Sequence, residues 1–360
     1  MKIFCAISGG IDSAVAVALL KKSGFKVKGV FMRLAESSNF LEAEKRAKRI
    51  AEILKIPFFV FDLRKEFKKK IIDYFLEDYK KGITPNPCVV CNKEIKFGLF
   101  LEMALKLGAD FVATGHYARK KELKAHNSKV KSYQLLRAKD KEKDQSYFLW
   151  MLNQEQLKRI LFPIGNYKRE EVENLARKFK LPVLKAKKSV EICFIETTIN
   201  DFLKKYLKEK PGKIVDTKGK VIGQHRGLWF YTIGQRKGIG LSGGPYWVLD
   251  KNLKKNLLIV TKNEKDLLKR ELICKNLNWI SGKEPKLPLK IKAKIRYLSP
   301  LTSAIIKPAF SHLRKCANIK RKAKFKECKV IFEKPQRAIT PGQSVVFYKG
   351  EEVLGGGIIL

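Results

Sequence analysis

Three short stretches carry residues whose types and spacing could do chemistry. The first is Ser8-Gly9-Gly10-Ile11-Asp12-Ser13. The apolar run at residues 2–7 reads as a buried strand, and residues 14–22 read as a helix, so this stretch is the turn between them. Two glycines let a backbone approach a ligand closely. Free N–H groups at a helix start favour an anion. Ser8 and Ser13 add hydroxyls, and Asp12 could hold a metal or cap the helix. The same residues are also ordinary turn and N-cap chemistry, and on residues alone both readings stand. The second stretch is residues 82–98, with Pro85, Asn86, Pro87, Cys88 and Cys91. Its prolines argue against helix and stiffen a loop. Asn92 could cap the next helix and set Cys91 at a helix N-terminus, where Lys93 and Lys96 would also favour the thiolate. Zinc is the weaker reading, because a CxxC pair needs two more ligands and no second CxxC or HxxxH accompanies it. A redox CxxC lacks thioredoxin-like surroundings. The third stretch, residues 188–195, puts Cys193 in an apolar setting, where a lone cysteine by itself reads as core.

The surrounding elements must position these groups. Strand patterns at residues 27–32, 58–62 and 111–114 alternate with helical spacing at Ala47, Ile50, Ala51 and Leu54, at Ile71, Ile72, Phe75, Leu76 and Tyr79, and over residues 92–107. This alternation predicts an α/β, doubly wound parallel sheet. Ligands in such sheets bind beyond the carboxyl ends of the strands. The glycine loop, Met32 and Gly115-His116 all fall at such ends. Residues 120–133 predict an exposed hairpin, and residues 143–149 a capped helix start. Helices follow near 154–160, 168–180 and 201–208. Lys210-Pro211-Gly212 then breaks the pattern and the rest reads as β. The expected division is 1–208, 209–280 and 281–360: an α/β domain, a small mostly-β central domain and a C-terminal β-barrel.

The chain has 360 residues, 45% of them apolar, enough for several cores. It holds 77 Lys+Arg against 35 Asp+Glu, a formal charge of +42. That excess points to a polyanionic partner, nucleic acid first, against the plain alternative of a lysine-rich composition. Seven cysteines at irregular spacing, among them Cys5, Cys274, Cys316 and Cys328, argue against a disulfide framework. No run of 18 apolar residues occurs, and a strand pattern at the very start leaves no room for a signal peptide, so a cytoplasmic location is expected.

The glycine loop resembles the SGGxDS loop of the PP-loop ATP pyrophosphatases, which cleave ATP between its α and β phosphates and have an adenine nucleotide α-hydrolase-like fold. It lacks the Walker spacing. The resemblance sharpens when seven motifs are taken in order: this loop; residues 86–97; Ala113-Thr114-Gly115-His116-Tyr117; Lys143-Asp144-Gln145-Ser146-Tyr147-Phe148-Leu149; Ile192-Cys193-Phe194-Ile195; residues 231–238; and Thr340-Pro341-Gly342-Gln343-Ser344. Together they resemble the tRNA-specific 2-thiouridylase family along essentially the whole chain.

That resemblance implies conversion of the wobble uridine of tRNA to 2-thiouridine, with ATP and Mg²⁺. Ala6, Ile7, Ser8, Gly9, Gly10, Ile11, Asp12 and Ser13 match the ATP loop, and Met32 and Gly115 match further ATP contacts. Cys91 matches the catalytic nucleophile and Cys193 the persulfide carrier, which displaces the core reading of Cys193. The two are expected to end each turnover as a disulfide. Asn86, Pro87 and Cys88 match the segment against the target base, and His116, Lys143, Asp144, Gln145, Arg296, Tyr297 and Gln343 match tRNA contacts. The implied partners are tRNA and a sulfur donor protein, with no membrane or DNA partner. No resident metal other than Mg²⁺ is implied.

Two features depart from the family pattern. Residues 33–39 replace a longer acidic and aromatic segment. Cys88 stands where many members have Asp, and could compete with Cys91 for disulfide formation. The basic stretch 314–326 carries no assigned role. Rival readings are another PP-loop enzyme, such as a synthetase or a 4-thiouridine synthase, and a non-enzymatic RNA-binding protein. The paired thiols disfavour the synthetases, and the full ATP loop disfavours the last.

Overall fold

The apolar run Lys2–Ala6 forms β1, buried from Ile3 onward, as a central parallel strand must be. In this computed structural model the described residues are 1–124, 131–182, 192–309 and 327–360. The basic stretch 314–326 with Cys316, residues 125–130 of the expected hairpin, and residues 188–191 of the Cys193 motif lie outside them. After β1 come α1 (Ile11–Lys22), β2 (Lys26–Arg33), α2 (Ser38–Ile53) and β3 (Phe58–Asp62). Then follow β4 (Phe111–Ala113), the hairpin β5 (Ala118–Lys124) and β6 (Lys131–Arg137), and β7 (Ile160–Leu161).

Five strands pair in parallel in the order β3-β2-β1-β4-β7. The chain reverses direction across the sheet between β1 and β4, so the ligand crevice of a doubly wound sheet belongs at their carboxyl ends. Helix α1 is apolar almost all round because it is enclosed. One side meets the sheet and another meets Val172 and Ala176 of the helix Arg169–Lys178.

The central unit is a four-stranded sheet. Its strands are β8 (Gly212–Val215), β9 (Val221–His225), β10 (Trp247–Asn252) and β11 (Leu257–Thr261), in the order β10-β11-β8-β9. Its core is shared with Phe75, Leu76 and Tyr79 of the preceding α/β unit. Six antiparallel strands follow: β12 (Leu268–Trp279), β13 (Leu289–Lys294), β14 (Thr302–Pro308), β15 (Glu327–Arg337), β16 (Ser344–Lys349) and β17 (Glu352–Ile359). They run β12-β15-β14-β13-β16-β17, and β12 pairs back onto β17 to close the barrel.

Two expectations differ from this arrangement. The barrel's first strand is β12, which begins before residue 281. In its first nine residues only Leu272 and Cys274 are buried, so its apolar alternation is too weak to read. The hairpin forms, but it is not exposed on both sides. β6 pairs with β17, Leu136 opposite Glu352 and Leu135 opposite Val353, and Tyr133 and Leu135 are buried. The α/β unit thereby adds its hairpin to the barrel's sheet.

Candidate active site

The glycine loop leaves no room for a side chain at Gly9. Gly9 has φ +76°, and a Cβ there would lie 2.5 Å from the Ala43 carbonyl oxygen. Gly10 is extended at the start of α1, and no side chain caps the helix, which leaves its first N–H groups for an anion. A Cβ on Gly115 would sit 2.6 Å from Ser13 N and from the Asp12 carbonyl carbon, so the end of β4 lies flush against the first turn of α1. Ser13 braces the loop: its Oγ accepts from Ser8 N at 3.1 Å and donates to Gly10 O at 2.9 Å. Ser8 Oγ lies 3.2 Å from it. Ala6, Ile7 and Ile11 are buried behind the loop, and Met32 is half-buried at the end of β2. These features fit a nucleotide phosphate.

Asp12 Oδ1 accepts from Tyr117 Oη at 2.9 Å and from Arg169 Nη1 at 2.8 Å. Burial pushes this carboxyl up, while Arg169, Tyr117 and Lys143 pull it back. Oδ2 accepts no hydrogen bond among the described residues, which suits a Mg²⁺ held by one carboxylate and substrate phosphates. No group of three or more His, Cys, Asp or Glu fit for a metal occurs among the described residues. The sequence reading gave no role to Tyr117 or Arg169. A signal existed for Arg169: it opens its helix, where the macrodipole disfavours a cation.

The thiol region corrects one expectation outright. Asn92 is not a cap. Asn86 is, its side chain accepting from Val89 N, and Pro87 occupies the first helical position, where a missing N–H costs nothing. Pro87 therefore starts the helix Pro87–Cys91 instead of forbidding it. Cys91 lies a full turn inside and is buried. Burial pushes its thiol up to about 11, with Lys96 opposing. It rests as a protonated thiol.

Cys193 is exposed to solvent, while protein still crowds its thiol. That crowding, then the negative charges Cys91 and Cys88 would carry, push it up to about 12, with Lys96 opposing. The three thiols are therefore electrostatic neighbours. Phe194 anchors Cys193: its ring packs edge-on against Phe67 at 5.7 Å, Phe75 at 5.4 Å and Phe202 at 5.3 Å. A turn closes beneath it through Ile195 N to Ile192 O at 3.0 Å. All three cysteines are free thiols. Lys96 acts on them and on His116, and Phe97 lies 5.7 Å from the His116 ring. The thiols and His116, which follows β4, thus share Lys96 as a charged neighbour.

The remaining polar residues divide by environment. Lys143 is exposed, and Gln145 is partly so. Asp144 is buried, accepting from Ala138 N and Ser146 N and from Arg137 Nε at 3.0 Å. His116 is buried and neutral, with Nδ1 2.7 Å from Thr114 Oγ1, and desolvation holds its pKa well down. Tyr297 packs on Phe148 with ring centroids 4.6 Å apart. Arg296 Nη2 donates to Ile233 O, Ala338 O and Thr340 Oγ1. Gln343 Nε2 donates to Thr84 O at 3.0 Å and Pro85 O at 3.1 Å. Arg296 therefore ties the barrel to the central domain, and Gln343 ties the barrel to the loop that leads into Cys88 and Cys91.

No helix among the described residues is long and apolar enough to cross a membrane. The family described as tRNA methyl transferase HUP domain matches residues 1–197. A tRNA methyl transferase PRC-barrel domain matches residues 200–262, and an aminomethyltransferase beta-barrel domain matches 269–359. The chain is 46% identical to tRNA-specific 2-thiouridylase MnmA 2 of Thermoanaerobacter sp. (strain X514), over 99% of this chain and 97% of that protein. It is 43% identical to tRNA-specific 2-thiouridylase MnmA of Syntrophomonas wolfei, over the full length of both. It is 42% identical to the Clostridioides difficile (strain 630) protein of the same name, over 99% and 98%. With its glycine loop, its neighbouring thiols and this full-length similarity, the chain belongs to the tRNA-specific 2-thiouridylase family.

Proposed function

We propose that this enzyme replaces the C2 oxygen of the wobble uridine in tRNA with sulfur, using ATP to activate that oxygen. What supports the reading is a glycine-bearing anion loop at the carboxyl ends of β1 and β4, together with the Cys91–Cys193 pair, which shares Lys96 as a charged neighbour with His116 just after β4.

The C2 carbonyl is a poor electrophile because oxide is a poor leaving group. Adenylation at that oxygen makes AMP the leaving group and releases pyrophosphate. The free N–H groups of α1 receive the negative charge of the phosphates. Asp12 Oδ2 would hold Mg²⁺, which when bound offsets charge on the departing pyrophosphate.

Sulfur is supplied by a donor protein as a persulfide on Cys193. Only a thiolate-type sulfur attacks, and both cysteines rest protonated as plain thiols. A persulfide ionises more readily, so the loaded enzyme carries the stronger nucleophile. Its terminal sulfur attacks C2 and AMP leaves. The Cys91 sulfur then attacks the Cys193 sulfur, forming a Cys91–Cys193 disulfide and leaving the terminal sulfur on C2. In the alternative order Cys91 opens the persulfide first, and the freed sulfide attacks C2. Either order oxidises two thiols, so a dithiol reductant must return two electrons before the next turnover. The wobble base leaves the anticodon stack to reach the site. Asn86, Pro87 and Cys88 lie against it, while Lys143, Gln145 and Tyr297 are the tRNA contacts. His116, Asp144, Arg296 and Gln343 support those contacts from within the protein. The site operates in the cytoplasm, where thiols stay reduced between turnovers.

The test incubates unmodified wobble-uridine tRNA with the enzyme, Mg·ATP and a persulfide donor, then analyses its nucleosides by mass spectrometry. 2-Thiouridine that disappears with Cys91→Ala is the expected result. Cleavage of ATP to AMP and pyrophosphate without any thiolated nucleoside would assign the fold to another substrate.

A further inference from the structure

Asp12 is held by two donors, and both are rooted in the same distant segment. Arg169 gives Nη1–H to Asp12 Oδ1 at 2.8 Å, and its backbone N–H goes to Asp140 Oδ2, also at 2.8 Å. Asp140 Oδ1 in turn holds the backbone N–H groups of Glu142 at 3.0 Å and Lys143 at 3.1 Å. Tyr117 gives its hydroxyl to the same oxygen of Asp12 at 2.9 Å. Its backbone pairs with Gln145 in both directions: Tyr117 N to Gln145 Oε1 at 3.0 Å, and Gln145 N to Tyr117 O at 2.8 Å. Each hydrogen-bonded route from segment 140–145 to the Asp12 carboxylate passes through a single residue, Arg169 or Tyr117.

The segment has a fixed interior and an open exterior. Asp144 is buried under Arg137, Ala138 and Ser146, while Lys141, Glu142 and Lys143 are exposed. A polyanion that engages Lys143 pulls on the turn whose other side carries Asp140 and Gln145.

We propose that segment 140–145 couples polynucleotide binding to the ATP loop, with Arg169 and Tyr117 as the positioning residues that carry the coupling to Asp12. This rests on the function proposed above, in which Lys143 meets tRNA and Asp12 faces the phosphates. Coupling of this kind is reciprocal: tRNA tightens Mg·ATP by the factor by which Mg·ATP tightens tRNA. A turn pulled outward by phosphate draws Arg169 with it and re-aims Asp12. A turn at rest leaves Asp12 fixed on its two protein donors.

The experiment measures, by calorimetry on the full chain, the dissociation constant of a non-hydrolysable Mg·ATP analogue with and without saturating unmodified tRNA. The wild type is expected to bind the analogue roughly tenfold more tightly with tRNA present. Arg169→Met and Tyr117→Phe each bring that ratio close to one, and Arg169→Lys recovers part of it. Tyr117→Phe removes one hydroxyl and keeps the ring, so it reports even where Arg169→Met unfolds. A wild-type ratio of one, or a ratio unchanged in Tyr117→Phe, overturns the coupling. Failure of the wild type to make 2-thiouridine while the ratio responds to these variants overturns the proposed function instead.

Discussion

Cys91 and Cys193 share a neighbourhood but differ in setting, and the difference fits the roles proposed for them. Cys193 is reachable by solvent, as the proposed acceptor of sulfur has to be. Cys91 is buried within the helical run, near enough to Cys193 to act on it electrostatically. Cys193→Ser is therefore expected to abolish 2-thiouridine while ATP-dependent adenylation of tRNA continues, read by nucleoside mass spectrometry and pyrophosphate release. Sulfur transfer surviving in that variant would remove the persulfide from Cys193. The resting protonation of Cys91 also has a pH signature. Its folded-state pKa is about 11, above an ordinary value of 9.0. The protonated thiol thus favours the fold below about pH 9, and that contribution is lost as pH rises towards 11. Alkylation of Cys91 by iodoacetamide should be slow at pH 7.5 and climb steeply through that same window. Fast modification at neutral pH would show a thiolate at rest. The sequence led towards the thiolate because it placed the helix start at Asn92. The start is at Pro87, and the intervening turn replaces a helix N-terminus with burial.

At the scale of elements, two close approaches shape the site, and both are testable by adding a methyl group or removing a side chain. Gly115 touches the first turn of α1, and Gly115→Ala puts a carbon 2.6 Å from Ser13 N. Overpacking of this kind costs about 1–3 kcal/mol. It is expected to raise the KM for ATP well beyond any change in tRNA affinity, measured by steady-state kinetics with each substrate varied. The loop at 82–86 is the second case. Gln343 donates to Thr84 O and Pro85 O, Lys251 Nζ donates to Gly82 O at 2.8 Å, and Thr84 N donates to Pro341 O at 3.0 Å. The central domain and the barrel therefore both hold the lead-in to Cys88 and Cys91. Gln343→Ala leaves two carbonyls without their donor and is expected to cost about 1–2 kcal/mol of stability, seen as a lower thermal midpoint without any tRNA present. An unchanged midpoint would leave Gln343 a tRNA contact alone. The sheet and most of the barrel were legible in the sequence because hydrophobic period is a local property, while β12 was not. The glycine loop was legible because residue type and spacing together define it. The ties that complete the site were not: Asp12 and Arg169 are 157 residues apart, and Gln343 and Thr84 are 259 apart. No local pattern encodes a pairing across such distances. The same holds for β6 on β17, where a polar hairpin finds its buried face only once the barrel exists.

At the scale of the whole molecule, the excess of 77 Lys+Arg over 35 Asp+Glu is more than internal pairing can absorb. Several carboxylates are already shared among cations: Glu351 meets Arg119, Arg137 and Lys141, and Glu94 meets Lys70 and Lys93. Most lysines therefore face solvent, and the domains that carry them are joined by shared strands and a shared core. A polyanion bound to such a body releases counterions in proportion to the phosphates it contacts. With about four phosphate contacts, raising salt from about 50 to about 200 mM is expected to weaken tRNA binding roughly a hundredfold. The measurement is a dissociation constant at four or more salt concentrations, by fluorescence anisotropy of labelled tRNA. A steep linear fall of log affinity against log salt gives the number of phosphates gripped. A flat line would mean that the charge of +42 reflects composition, and that tRNA is held by base and shape contacts around the thiols.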